Sequence, residues 1–381
     1  MNETTSLPDE YVALPQQELE ARVRALKTRF GKTLCILGHH YQSDDVVQFA
    51  DFVGDSLKLS QQAALRPDAR FIVFCGVHFM AESADILAAT GQTVCLPNAL
   101  ALCAMADMAD DAAVATAIEE LAPLAGPGRI VPITYVNSSA ATKAVTARAG
   151  GACCTSSNAV NVFAWALKSV SEGGAGGDKI FAIPDQHLGR NCAVAMGCSL
   201  DDCAVYDPSL PAGGLSRDDV RRARFILWKG QCYVHQVFRP ADIEAARAAD
   251  SDVTVIVHPE CPFEVVRLAD AAGSTEQIIR AVSSGPPGGK WAVGTEANLV
   301  RRLARRHPDR TVRVLGNRQA HCVQMARITL AHLLWVLDGI DAGKPVNVVS
   351  VPPEIAQDAR TALERMIAIK AAPEVMRLRG R

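Results

Sequence analysis

Three residues whose side chains bind metals or transfer protons follow an apolar run in the last third of the chain. The stretch VIVHPECPFEVV at 255–266 places His258, Glu260 and Cys261 directly after that run. A short β-branched run that ends in polar residues is typical of a buried strand that presents side chains in the following loop. These residues could bind a metal ion, form a nucleophile pair, or transfer protons beside a reaction centre formed by other residues.

Two earlier apolar runs end in the same way. His39 and Tyr41 follow the run that begins at 33, and Tyr135 and Asn137 follow the run that begins at 130. In parallel sheets, ligands collect at the carboxyl ends of strands. We therefore expect all three strand ends to carry residues that contact substrate.

These strand ends belong to a plan that occurs three times. Each repeat has an apolar strand, a helix-like stretch, a small-residue loop with Ser or Thr, and a second helix-like stretch, at 33–64, 130–167 and 253–282. A second strand, a polar turn and a helix follow at 70–87, 179–191 and 290–303. A third strand-like piece then leads to a cysteine.

Alternating strands and helices predict parallel sheets covered by helices. The expected fold is α/β, with three similar αβα-layered domains that have small parallel sheets and lie around a pseudo-threefold axis. The predicted domains are 1–128 with an N-terminal extension, 129–238 with an insertion near 192–224, and 239–381 with C-terminal helices.

Each repeat has a hydroxyl before its second helix-like stretch, at Ser56, Ser156 and Thr275. Ser and Thr are common N-caps, which would explain any one of them. Three in equivalent positions favour binding, because hydroxyls and backbone N–H groups at helix starts bind carboxylate or phosphate well.

The cysteines that end the three repeats are Cys103, Cys232 and Cys322. Three thiolates are too few for an ordinary structural zinc site, which takes four ligands. They suit three irons of a 4Fe-4S cluster, whose fourth iron would stay open as a Lewis acid. Spacing alone is weak support, because none of the three has a nearby CxxC partner.

The other cysteines receive mainly structural interpretations. Cys35, Cys75 and Cys95 lie in or beside apolar runs and are expected to be small buried hydrophobes. The insertion contains a rival cluster, which we interpret as a cysteine-rich loop, with a second metal site or a redox switch as alternatives: Cys192, Cys198 and Cys203.

Composition limits the classes of function. The chain has 381 residues, of which 49% are hydrophobic, 21% charged and 5% aromatic, with a formal net charge of −2. This suits a globular protein and disfavours nucleic acid or an anionic membrane as a partner. The first residues lack a signal-peptide pattern, and no run approaches the ~20 apolar residues of a membrane span. We expect a soluble, cytoplasmic protein.

The chain resembles the quinolinate synthases, the A proteins of de novo NAD synthesis, from about 30 to 345. The motifs that carry the resemblance are GHHYQ (38–42), ADFVGDSL (50–57), FCGVHFMAE (74–82), ITYVNSSAATKA (133–144), CTSSNAV (154–160), IPDQHLGRN (183–191), WKGQCYVH (228–235), VHPECPFEV (257–265) and VGTEANL (293–299). The segment between GRN and WKGQC is longer than in compact members. The cysteine-rich motif that some members have near the last ligand is absent from this sequence.

The resemblance implies three αβα domains in a triangle and a central 4Fe-4S cluster with one iron open to substrate. Its ligands correspond to Cys103, Cys232 and Cys322. The implied reaction joins iminoaspartate to dihydroxyacetone phosphate and forms quinolinate, with release of phosphate and two waters. An aspartate oxidase or dehydrogenase would be the natural source of iminoaspartate.

The resemblance also implies roles for the polar strand ends. Glu260 would be the general base, a role that suits Glu if burial raises its pKa toward neutrality, and His258 would bind a substrate carboxylate. Tyr41 would be the acid–base partner, and His39 would contact phosphate or carbonyl. For the residues of VIVHPECP, the resemblance thus favours proton transfer over metal binding or a nucleophile pair. The alternative is that His258 and Glu260 simply pair with each other.

The remaining implied roles concern binding. Tyr135 and Asn137 would orient substrate, and the three hydroxyls would take its carboxylates or phosphate. His235 is either a substrate contact or a neighbour packed beside the cluster. Arg190 could form an ion pair with Asp185 or steer anionic substrate.

Two other functions remain open from the residues. A non-catalytic iron–sulfur sensor would not need Tyr41, Tyr135, Asn137 and Glu260. A zinc-dependent aldolase-type enzyme would use His and Glu, and metal analysis separates it from the cluster enzymes.

Overall fold

The computed structural model describes residues 6–372 and 374–378, and each sequence repeat forms one small sheet. In chain order the strands are β1 (Leu34–His39), β2 (Phe52–Gly54), β3 (Phe71–Cys75), β4 (Thr93–Cys95), β5 (Ile130–Tyr135), β6 (Ala152–Cys154), β7 (Lys179–Ile183), β8 (Cys203–Tyr206), β9 (Phe225–Trp228), β10 (Thr254–Val257), β11 (Ala271–Ala272), β12 (Lys290–Gly294), β13 (Thr311–Val314) and β14 (Val348–Val349).

The helices alternate with these strands. In chain order they are α1 (Asp9–Val12), α2 (Gln16–Phe30), α3 (Asp44–Val47), α4 (Ser56–Ala64), α5 (His78–Leu87), α6 (Asp111–Leu121), α7 (Ala140–Arg148), α8 (Ala159–Leu167), α9 (Gln186–Ala195), α10 (Arg217–Arg222), α11 (Pro240–Ala249), α12 (Phe263–Leu268), α13 (Thr275–Ser284), α14 (Ala297–Arg306), α15 (Leu330–Asp341) and α16 (Pro353–Ala368).

The chain divides into two compact units. The first consists of Met1–Cys103 and His321–Pro353, and the second of Ala104–Ala320 and Glu354–Arg381. The first unit has one sheet, in the order β14-β4-β3-β1-β2, and all its neighbours are parallel except β14 and β4. The second unit has two parallel sheets, β6-β5-β7-β9-β8 and β11-β10-β12-β13.

The repeats share one sheet topology. In each sheet the first strand of the repeat lies between the second and the third, and the last strand follows the third: β2-β1-β3-β4, β6-β5-β7-β9 and β11-β10-β12-β13. The α/β class and the three small, mostly parallel sheets are thus confirmed, and the predicted domain boundaries and pseudo-threefold axis stay predictions. The small-residue loops predicted at 54–56, 155–158 and 273–275 begin at or just after the ends of the short strands β2, β6 and β11.

Apolar runs form the central strands because helices cover both faces of these sheets. All residues of β1, β7 and β9 are buried, as expected for parallel strands. In the second unit, α6 packs on β7, β8 and β9 through a core that includes Val114, Leu121, Phe181, Ile226 and Trp228.

A buried backbone donor is satisfied in the same way in two sheets. Asp51 accepts a hydrogen bond from the N–H of Ile36 in β1 (2.7 Å), and Asp270 accepts one from Val255 in β10 (2.8 Å). The equivalent residue of β5 is Pro132, which has no N–H group to satisfy. Because Pro132 leaves no donor at this position of β5, the second repeat does not need the aspartate that the other two repeats share.

The apolar stretch near residue 330 forms α15, a helix of 12 residues. None of the helices in the described part of the chain has both the length and the apolar character that a membrane span needs.

Candidate active site

The three predicted cluster ligands lie in equivalent loops. In each loop, the carbonyl two residues before the cysteine accepts a hydrogen bond from the first N–H of a helix, which is α5, α9 or α14. The pairs are His78 N to Ala101 O (2.8 Å), Gln186 N to Gly230 O (3.0 Å) and Ala297 N to Ala320 O (2.8 Å). A turn begins immediately after each cysteine. The same backbone anchor therefore presents each thiol.

Exposure separates these cysteines from most of the others. Cys103, Cys232 and Cys322 are partly exposed. Seven others are buried, including Cys35, Cys75 and Cys95, as predicted. Burial raises the pKa of Cys75 and of Cys95 to about 12, so both are protonated thiols at neutral pH.

In the second unit, Glu260 follows β10, and its carboxylate contacts two residues that follow or end strands of the β6-β5-β7-β9-β8 sheet. Its Oε1 accepts a hydrogen bond from the hydroxyl of Tyr135 (2.6 Å), and its Oε2 is paired with Nδ1 of His235 (2.9 Å). All three side chains are buried. The end of β5 and the loop after β10 therefore meet at this carboxylate.

Two opposing effects act on the pKa of Glu260. Burial raises it, whereas the imidazoles of His258 and His235 and the hydrogen bonds from His235 and Tyr135 lower it, and the result is a pKa lowered to about 2. The expected rise toward neutrality is therefore wrong for this arrangement. Donors to both oxygens stabilise the ionised form more than burial destabilises it.

His258 and His39 have the same local geometry in different units. Nδ1 of His258 accepts the N–H of Glu260 (3.3 Å), and Nδ1 of His39 accepts the N–H of Tyr41 (3.2 Å). An Nδ1 that accepts carries no proton, so the neutral ring has its proton on Nε2. Burial also lowers the pKa of His258 to about 3, so its ring is a neutral hydrogen-bond donor at physiological pH.

His258 is not the main partner of Glu260. Its Nδ1 lies 3.7 Å from Oε1 of Glu260, beyond hydrogen-bond distance, whereas His235 lies at 2.9 Å. The two side chains still lie within ion-pair distance, so the alternative that His258 and Glu260 simply pair stays open.

Both ring nitrogens of His235 have partners. Nδ1 faces Glu260, and Nε2 lies 3.2 Å from the hydroxyl of Thr295. The ring also stacks on that of His258, with centroids 4.4 Å apart and planes 16° apart. This arrangement fixes the orientation of His235.

The loop that presents Glu260 is anchored along its backbone. Asn191 of α9 donates to the carbonyls of Pro259 (2.8 Å) and Cys261 (2.9 Å). Gln236 donates to the carbonyl of Glu260 itself (3.0 Å). The carboxylate is therefore held by its backbone as well as by its side chain.

Asp185 anchors the loop of Cys232. One carboxylate oxygen caps α9 by accepting the N–H groups of His187 and Leu188, both at 2.8 Å. The other accepts the N–H of Cys232 (3.2 Å). Arg190 instead donates to Gln186 (3.2 Å), so the suggested ion pair between Arg190 and Asp185 is wrong.

The helices after the three hydroxyls are capped by other residues. The N-caps of α4, α8 and α13 are Asp55, Asn158 and Ser274. The capping explanation for Ser56, Ser156 and Thr275 is therefore wrong. Their proposed role in binding stays a prediction.

Two further predicted contacts have distinct surroundings. Oδ1 of Asn137 is buried, and no described residue donates a hydrogen bond to it. An unsatisfied buried acceptor costs about 1–3 kcal/mol, so a ligand donor would stabilise this position. In the first unit, the rings of Tyr41 and His39 are in edge contact at 4.6 Å.

The insertion forms an edge strand beside β9 rather than a loop alone. Cys203 begins β8, and Cys192 is buried in α9. Burial raises the pKa of Cys198, and that of Cys203 to about 11. Within the described part of the chain, the side-chain group able to hold a metal does not include them; it is Cys232, His235 and Glu260, with ligand atoms within 4.8 Å of one another.

The second unit thus brings together Tyr135, Cys232, His235, His258 and Glu260. The first unit contains His39, Tyr41, Ser56, Cys103 and Cys322. Sequence reasoning assigned no role to Thr295 and misjudged that of Asp185. Asp185 lies just after β7 and Thr295 just after β12. A position after the carboxyl end of a parallel strand is the signal that could have identified them.

Comparisons with known proteins agree on one family. Residues 21–368 match the family model described as Quinolinate synthetase A protein. A quinolinate synthase of Geobacillus sp. strain WCH70 is 49% identical over 369 residues, covering 97% of this chain and 98% of that protein. Quinolinate synthases of a Nocardioides species and of Bacillus cereus are 50% and 48% identical, covering 92% and 95% of this chain and 89% and 96% of those proteins.

Proposed function

The chain belongs to the Quinolinate synthetase A protein family, and we propose that it synthesises quinolinate from iminoaspartate and dihydroxyacetone phosphate. The reaction joins the two carbon skeletons, closes the pyridine ring, and releases one phosphate and two waters. The observation that best supports it is the ionised carboxylate of Glu260, held between Tyr135 and His235.

Glu260 is the proposed general base. It takes a proton from a carbon next to the imine or carbonyl, a step in which a positioned base contributes about 10²–10⁴-fold. The two donors make the resting carboxylate a weak base. A substrate group that displaces Tyr135 or His235 from it raises its pKa and strengthens it.

His258 is the proposed donor to a substrate carboxylate. Its proton is on Nε2 because Nδ1 accepts the N–H of Glu260. A neutral donor binds an anion by hydrogen bonding and does not compete with Glu260 for the transferred proton. His39, with the same geometry, is proposed to contact phosphate or carbonyl, and Tyr41 to act as its acid–base neighbour.

His235 is proposed to position Glu260. Since both its nitrogens have protein partners, it orients the carboxylate instead of contacting substrate. The side chains proposed to bind the remaining polar groups of the substrates are Tyr135, Asn137, Ser56, Ser156 and Thr275.

The residues fit the 4Fe-4S cluster that the family implies. Three thiols with the same backbone anchor supply the donor type such clusters require, and Cys103, Cys232 and Cys322 would hold it. When bound, its open iron acts as a Lewis acid toward a hydroxyl or carboxylate of substrate.

The group of Cys232, His235 and Glu260 is the one observation that favours a zinc-dependent enzyme. Hydrogen bonds already occupy both oxygens of Glu260 and both nitrogens of His235. These hydrogen bonds already explain why the side chains lie close together, and a zinc ion would have to displace them. We therefore retain the iron–sulfur synthase.

The decisive experiment supplies anaerobically purified protein with iminoaspartate and dihydroxyacetone phosphate and measures quinolinate, iron, sulfide and zinc. Quinolinate that forms, and stops forming after exposure to air, supports the proposal. Intact cluster without quinolinate favours the sensor, and zinc without sulfide favours the zinc enzyme. Product from a coupled aspartate oxidase or dehydrogenase would support such an enzyme as the source of iminoaspartate.

A further inference from the structure

The loops that carry Ser156 and Thr275 lie close together in the second unit. The first loop, 155–158, follows β6, and the second, 273–277, follows β11. The hydroxyls of Ser157 and Ser274 are joined by a 2.9 Å hydrogen bond.

A segment near the C-terminus contacts both loops, and we call residues 366–372 and 374–376 the strap. The N–H of Ala372 donates to the carbonyl of Ser157 (2.8 Å). Met376 and Ala272 exchange two backbone hydrogen bonds, of 2.7 and 2.8 Å. The backbone of the strap thereby contacts the first loop and β11, the strand that leads into the second loop.

Two buried amides hold the strap. Nδ2 of Asn158 donates to the carbonyls of Met366 and Ile369, both at 3.0 Å. Nε2 of Gln277 donates to the carbonyls of Ala372 (2.9 Å) and Glu374 (2.8 Å). Each loop therefore contributes one side chain with two hydrogen bonds to the strap.

The oxygen of each amide has a separate function in its own loop. Oδ1 of Asn158 accepts the N–H of Thr155 (2.9 Å), and Oε1 of Gln277 accepts the N–H of Ser274 (2.8 Å). A carboxylate would serve equally as this acceptor, and capping boxes use either Glu or Gln at the position of Gln277. Only the donors to the strap require an amide.

Beyond the buried Met366, the strap is held by hydrogen bonds more than by packing, because none of residues 369–372 and 374–376 is buried. A cavity of about 780 Å³ lies beside it, lined by Val160, Gln277, Arg280, Ala372 and Met376, among others. A segment with little apolar contact opens at a low free-energy cost unless hydrogen bonds hold it. The two amides are therefore the contacts whose loss should release it.

We propose that the strap sets the separation of the two loops, so that Ser156 and Thr275 are pre-arranged for an anionic group of the substrate, a carboxylate or a phosphate. Asn158 and Gln277 are positioning residues in this scheme. The inference rests on the proposed function. Pre-arranged loops bind more tightly because less freedom is lost on binding. Glu260 is held independently by Tyr135 and His235, so the chemical step should depend little on the strap.

The test uses Asn158→Asp and Gln277→Glu, which keep the acceptor oxygen and remove the donors to the strap. We expect KM for one of the anionic substrates to rise about tenfold or more, the equivalent of one or two lost hydrogen bonds, with kcat changed less than about threefold. The control is Ser284→Asp at the exposed end of α13, which adds a charge beside the same cavity and loses only a bond to the carbonyl of Arg280 within its own helix. Its KM should stay at the wild-type value.

Two measurements without turnover separate this inference from the proposed function. In substrate-free protein, amide hydrogen exchange in 155–158 and 273–277 should be faster in both variants than in the control. Inorganic phosphate, titrated by calorimetry, should bind about tenfold more weakly to them. If quinolinate never forms but these differences appear, the proposed reaction fails and the strap stands. Unchanged exchange, a control that behaves like the variants, or no phosphate binding by wild-type protein would overturn it.

Discussion

Replacement of Glu260 by Gln tests the central feature of the site. The substitution keeps the size of the side chain but removes its charge and its basicity. Tyr135 can still donate to the amide oxygen, while His235 then faces an N–H group. The anchors on the carbonyls of Pro259 and Cys261 do not depend on this side chain. We therefore expect a folded protein with its iron and sulfide retained.

The expected loss of activity follows from the role of the base. Removing a positioned general base costs about 10²–10⁴-fold in kcat. The assay is quinolinate formation under anaerobic conditions, with iron and sulfide measured on the same sample. The control is Glu264→Gln, an exposed carboxylate on α12, which should keep wild-type activity. Wild-type turnover by the Glu260 variant would refute its assignment as the base.

The low pKa of Glu260 gives a second, independent magnitude. A fall from the usual 4.5 to about 2 corresponds to roughly 3 kcal/mol in favour of the folded state. Because the folded pKa is depressed, this contribution is fully present above pH 4.5 and is lost as the pH falls through 2. At pH 3.5 wild-type protein should have lost roughly 1 kcal/mol that the Gln variant never had.

Urea unfolding at pH 6 and pH 3.5, followed by tryptophan fluorescence, measures this difference. The difference in free energy of unfolding between wild type and Glu260→Gln should become smaller at pH 3.5. The difference between wild type and Glu264→Gln should change less with pH. A constant difference between wild type and Glu260→Gln would mean that Glu260 is not held ionised by its two donors.

Three further predictions concern neighbouring contacts. Alanine at any one predicted cluster ligand should lower bound iron and sulfide sharply, and normal metal content would contradict the assignment of Cys103, Cys232 or Cys322. Tyr135→Phe removes a 2.6 Å bond to an ionised group, worth about 1.5–3 kcal/mol, and should raise the pKa of Glu260 by about 1–2 units in an infrared titration; an unchanged pKa would count against that bond. Asp185→Asn keeps an oxygen that can cap α9 but places an N–H group against the N–H of Cys232. Iron loading should therefore fall, while the helix content measured by circular dichroism stays constant. Full loading would show that this contact does not position the thiol.

The sequence predicted the plan of the three sheets because their central strands are apolar runs that end in polar residues. β1, β5 and β10 each lie between helices, so burial on both faces makes them easy to recognise. The strands β2 and β11 were missed for a physical reason. With three and two residues, they are too short to show a periodic pattern, and β11 consists of alanine alone.

The hydroxyl loops show a finer limit of the same kind. A helix N-cap is the residue whose backbone is extended while the next residue is already helical. Asp55 and Ser274 meet this condition, one residue before Ser56 and Thr275. Adjacent Asp, Ser and Thr residues are all good caps, so composition does not decide which of them caps the helix. A shift of one residue changes which hydroxyl is used for capping.

The pKa of Glu260 shows why a site is harder to predict than a strand. Its burial follows from its place after an apolar run, and burial alone raises the pKa. The direction is reversed by Tyr135, which is 125 residues away in sequence, and by His235 in a third segment. Neither partner has a local pattern that links it to Glu260; both are near only because strand ends of two sheets meet in one unit. The sequence therefore identifies the groups able to transfer protons, whereas their base strength depends on long-range contacts that only the folded chain provides.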